Sequence, residues 1–138
     1  MDRKATRAEK VLEETISTIW EEENWIQHTM AQDEDGKATS FNDEDACKFC
    51  LAGAFKRAVS NRGYYNEIGE VNLAASLLED AIEDCWPKID ETPAYRNNIE
   101  LAINFNDHHK TSHADVVTAL EEAIYYATTV ANEVIVPS

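Results

Sequence analysis

Residues 104–115, NFNDHHKTSHAD, hold three histidines and two aspartates within twelve positions. Imidazole and carboxylate groups at this density are the donors that zinc and similar divalent ions take. His109 and His113 are four apart, so both would lie on one face if the segment were helical. However, Ser112-His113-Ala114-Asp115 has the form of a helix entrance, a serine followed three residues later by an acid. That places His109 ahead of the helix and removes the shared face. His108 and His109, as neighbours, point apart, and there is no HExxH pattern or second ligand set at a recognised distance. The histidines therefore read as a helix entrance, and no metal is expected. Phe105-Asn106-Asp107 repeats Phe41-Asn42-Asp43, and Asn106-Asp107 is expected to organise the turn into the last helix.

Cys47-x-x-Cys50 could be half of a zinc knuckle or a dithiol redox pair. The only other thiol, Cys85, belongs to a different segment, and Cys47 is expected on the apolar face of a helix already under way. Buried small hydrophobes is the better account. Acids occur in runs: Glu21-Glu22-Glu23, Asp33-Glu34-Asp35, Asp43-Glu44-Asp45, and Glu79-Asp80 with Glu83-Asp84. Acid-catalysed hydrolysis needs two or three carboxylates converging in a pocket. These runs instead fall opposite apolar stripes, as solvated acids do. Asp33-Glu34-Asp35-Gly36 opens like a calcium loop, but Asn42 stands where that loop needs its glutamate. Gly-rich phosphate loops and nucleophile elbows are absent from the sequence.

The 138 residues carry 27 acidic and 12 basic side chains, for a net charge of −15. Such a surface repels phosphates and anionic membranes and attracts basic protein surfaces, so direct nucleic-acid binding and membrane association are not expected. No apolar stretch approaches the ~20 residues of a membrane span, and no secretory signal is visible. Three cysteines cannot all pair, which suits reduced cytoplasmic thiols.

The elements follow from periodicity. Thr6-x-x-Glu9 resembles a capping box, and Ala8, Val11, Leu12, Ile16, Ile19 and Trp20 predict a helix running to about residue 23. Residues 25–41 read as a short β-hairpin turning at Gly36, with an extension of the first helix as the alternative. Asn42 or Asp43 would then cap a helix whose apolar face is Ala46, Cys47, Cys50, Leu51, Ala54, Phe55 and Ala58, ending near Gly63. Val71, Ala74, Leu78, Ala81, Ile82 and Cys85 predict a third helix stopped by Pro87. A fourth starts near Pro93 with Tyr95, Ile99, Ala102 and Ile103 buried, and a fifth spans roughly 113–132. The apolar tail Val-Ile-Val-Pro-Ser is expected to dock. The sum is one compact, mainly α domain of about five helices over residues 1–138.

Two stretches, WIQHTMAQDEDGKATSFNDEDACKFCLAGAFKRAV and INFNDHHKTSHADVVTALEEAI, resemble an uncharacterised family, a domain of unknown function found in bacterial, notably actinobacterial, and bacteriophage proteins. The matching positions are Trp25 and Gln27, the Asp33/Asp35/Gly36 turn, Cys50, Gly53, Ala54 and Arg57, then Phe105, Asn106, Asp107, Thr111 and Val116. The resemblance implies no activity, cofactor or catalytic residue. This chain departs from the pattern at His28, where a small residue, often glycine, is usual, and at His108-His109-Lys110, which replaces a proline-glycine type of turn.

The expected function is a non-catalytic acidic interaction module in the cytoplasm of a bacterial host. In its sharper form it is a phage or mobile-element accessory protein that occupies a basic, nucleic-acid-binding protein surface, as anti-CRISPR inhibitors do. The acidic surface would be supplied by Glu21, Glu22, Glu23, Asp33, Asp35, Asp80 and Asp84. If there is a binding site, its residues are expected to be Gln27, Asn106, Asp107, His109 and His113. The alternatives are a small metal-binding protein or hydrolase using the Asn106/Asp107/histidine cluster, with Gln27 or His28, and a structural homo-oligomer such as a homodimer, suggested by Trp20, Trp25 and Trp86.

Overall fold

The computed structural model describes residues 3–61, 68–85 and 98–133. Its elements are α1 (Arg3–Thr18), a 3-10 turn (Glu22–Asn24), β1 (Ala31–Gln32), β2 (Lys48–Phe49), α2 (Leu51–Asn61), α3 (Ile68–Cys85), α4 (Asn98–Asp107) and α5 (His113–Glu133). The expected stops at Gly63 and Pro87, the start at Pro93, Trp86, Tyr95 and the apolar tail lie outside the described residues.

Helix α1 is the central element, packed against α5, α3 and α2. Ala8, Val11, Leu12, Thr15 and Ile19 have no exposed surface and recur at the three- and four-residue intervals of one helical face. Thr15 is admitted to this face because its hydroxyl donates to the Val11 carbonyl at 2.7 Å. Opposite it lie Val116, Ala119, Leu120, Ala123 and Ala127 of α5, also fully buried. The two helices run antiparallel, since Thr128 meets Glu9 at 2.8 Å while His113 meets Ile19 at the other end.

The first helix stops at Thr18, short of the expected residue 23. Continuing would have put Glu21, Glu22 and Glu23 at a helix C-terminus, where the dipole disfavours carboxylates. They form the 3-10 turn instead, and Trp20, beyond the helical period, is 54% exposed. Thr6 lies inside the helix rather than capping it.

Between α1 and α2 the chain departs most from its periodicity. The expected turn is present: the Asp33 and Lys37 backbones close it, Gly36 takes φ +82°, and Gln32 bridges Ala38. The main ladder, however, joins β1 to β2, with Ala31 opposite Phe49 and Gln32 opposite Lys48. Residues 47–50, expected to lie in a helix, instead bond across to residues 30–32, with the Cys47 amide donating to the Gln32 carbonyl and the Cys50 amide to the Met30 carbonyl. Pairing there buries Ala31 and Phe49 against each other. Asn42 and Asp43 accordingly cap no helix. Asp43 closes a tight turn by accepting from the Asp45 amide at 2.8 Å.

Helix α2 enters the core at its first residue: Leu51, Ala52, Gly53, Ala54 and Phe55 are all buried. Its backbone crosses the Met30 carbonyl so closely that a Cβ at position 53 would lie 2.1 Å from that oxygen. Because the obstacle is backbone already tied to Cys50, it cannot swing aside. Gly53→Ala is expected to lower stability by about 3 kcal/mol, at the upper end of overpacking costs, measured by urea unfolding; an unchanged midpoint would contradict the close approach.

Candidate functional site

The polar centre of the molecule is Asn106, in the last turn of α4, whose side chain is completely buried. Its Oδ1 accepts from the Trp25 indole N–H at 2.6 Å and from the Leu51 amide at 3.0 Å. Its Nδ2 donates to the Ile26 carbonyl and to Asp107 Oδ1, each at 3.0 Å. All four hydrogen-bonding valences of the amide are filled. The Leu51 contact has a clear physical origin. A helix beginning inside the core leaves its first amides without intrahelical partners or water. Asn106 caps one of them from another helix, and the Cys50 sulfur, 3.3 Å from the Gly53 amide, caps a second.

The residues around Asn106 extend the same clasp. Gln27 Nε2 donates to the Asn106 and His108 carbonyls at 2.8 and 3.2 Å, closing the C-terminal end of α4. Asp107 Oδ1 accepts the His28 amide at 2.8 Å. Gln27, Asn106 and Asp107, expected together, are thus together, but as a brace between residues 25–28 and the ends of α2 and α4. Asn106-Asp107 close α4 rather than organise the entry to α5. That entry is made by Ser112 and Asp115, whose side chains each accept the other's amide, at 3.2 and 2.8 Å.

The histidines do not converge. His113 Nε2 lies 2.6 Å from the Ile19 carbonyl, which can only accept, so this nitrogen bears a proton and is not a metal donor. It instead satisfies a carbonyl just past the end of α1, with its ring tilted against Trp25. His108 Nδ1 accepts the Lys110 amide at 3.0 Å, and exposed His109 stacks on the His108 ring. No group of three or more His, Cys, Asp or Glu among the described residues is placed to hold a metal ion.

Cys47 does not lie on a helix, as expected, but in extended chain before β2, while Cys50 precedes α2. Both are free thiols, Cys47 half-buried and Cys50 buried, with the two residues of β2 between them. Burial pushes the Cys50 thiol up, against the lowering influence of the Gly53 and Ala52 amides.

The acidic residues divide. Glu21, Glu22, Glu23, Asp35, Asp80 and Asp84 are exposed and Asp33 half-buried, but Glu79 is 8% exposed, contrary to the expectation that its run is solvated. At the α3–α5 seam the Tyr126 hydroxyl sits between the carboxylates of Asp84 and Glu122, which raise its pKa above the ordinary tyrosine range. Elsewhere the turn at 33–37 and the turn at 43–45 bring Asp33, Glu34, Asp35, Glu44 and Asp45 around one surface concavity of about 380 Å3, with Cys47 at its edge. Sequence reasoning noted both runs but not their convergence, which the β1–β2 pairing creates. Arg57 holds the second turn, donating to the Phe41 and Asp43 carbonyls at 3.0 and 2.8 Å with its guanidinium over the Phe49 ring.

Trp20 and Tyr125 are the exposed large hydrophobics among the described residues, and they belong to different elements. No helix among those residues is long and apolar enough to cross a membrane.

Three outcomes are expected. Asn106→Ala leaves the Leu51 amide, the Trp25 indole and the Ile26 carbonyl without their partner, and should cost about 3 kcal/mol in chemical unfolding, with a shift in Trp25 fluorescence. His28 takes φ +73°, a left-handed conformation that costs a non-glycine residue about 1 kcal/mol. His28→Gly should therefore raise the melting temperature or leave it unchanged, and a clear drop would assign the imidazole a structural role. The Asp43 carboxyl is held below its ordinary range by the Asp45 amide, the Thr39 side chain and Arg57. Its ionised form thus adds stability at neutral pH that is lost as pH falls below roughly 4. The stability advantage of the wild type over Asp43→Asn should shrink on acidification.

A family model described as a family of unknown function (DUF6197) matches residues 3–126. No curated protein and no solved structure matches the chain. With the match covering most of its length, the chain belongs to that family.

Proposed function

We propose that this family member is a non-catalytic interaction module that engages a basic protein surface through its acidic face. The observation that carries the proposal is the convergence of Asp33, Glu34, Asp35, Glu44 and Asp45 from two separate turns around one concavity, on a chain of net charge −15. Glu34, Asp35, Glu44 and Asp45 are exposed, so their field reaches an approaching partner. The groups with the most chemical potential are spent elsewhere. Asn106, Asp107, Gln27 and His113 are occupied in bonds to the backbone or to one another, which argues against the hydrolase and metal-binding alternatives.

Among basic protein surfaces, those that bind nucleic acid carry the densest positive charge, and an acidic domain competes for them as a phosphate backbone does. The proposal therefore extends to an accessory or inhibitor protein of a phage or mobile element, acting in the cytoplasm of a bacterial host and blocking a nucleic-acid-binding surface.

The test uses an arginine-rich peptide as probe, followed by fluorescence anisotropy across a salt series. Binding should weaken as ionic strength rises. Glu44→Lys/Asp45→Lys should weaken it about tenfold more than Glu13→Lys/Glu121→Lys, which changes the net charge equally on exposed helix positions. Equal losses in the two variants would show that only overall charge matters and would overturn the assignment to this face.

A further inference from the structure

We draw no further inference here: the strongest candidate, the groove of about 450 Å3 between α3 and α5 where Tyr126 meets Asp84 beside Asp80, Glu83 and Leu77, is a cluster of acidic side chains, and nothing in the structure shows what covers it.

Discussion

One buried amide holds the non-helical part of this fold to the helical part. A helix that starts in the core must find partners for amides that water would otherwise satisfy, and α2 starts there because Leu51 through Phe55 are all needed as packing. Asn106 supplies a partner from α4, and its remaining valences reach Trp25, Ile26 and Asp107. Three chain segments distant in sequence are thereby fixed by a side chain with no spare bonding capacity. The close crossing of Gly53 and Met30 adjoins the same arrangement, because residues 25–28, which Asn106 and Asp107 brace, lead to Met30, whose carbonyl lies over Gly53.

This economy bears on function. A cluster rich in Asn, Asp, Gln and His invites a catalytic interpretation, yet the geometry gives Asn106, Asp107, Gln27 and His113 backbone partners. Gln27 closes α4, His113 satisfies the carbonyl of Ile19, and Asp107 anchors the left-handed residue His28. The chemistry is that of a brace. The carboxylates of Glu34, Asp35, Glu44 and Asp45, in contrast, face solvent around a concavity. The division is physical: buried polar groups must be paired to be tolerated, while exposed charges remain available for long-range attraction.

Much of the helical architecture could be read directly. The apolar faces of α1, α3 and α5 follow the helical period, and the Ser112–Asp115 entrance to α5 forms as its residues suggest. The region from 19 to 50 could not be read this way. Its short apolar runs fit a helix as well as a strand, and two-residue strands leave almost no periodic trace. Cys47 and Cys50 therefore looked like neighbours on a helix face, when one precedes β2 and the other opens α2. Glu79 looked solvated by its place in an acidic run and is buried.

Composition and local pattern, by themselves, determined a mainly α chain with a strongly acidic surface, the turn at Gly36 and the box that starts α5. Each depends on residues within a turn or two of one another, or on totals that no fold can change. Tertiary structure alone decided that Asn106 would cap α2 across fifty-five residues, that β1 would pair with β2, and that two acidic turns would share one concavity. Those outcomes depend on which amides burial leaves unsatisfied and on which backbones meet, and neither is written in the spacing of residues along the chain.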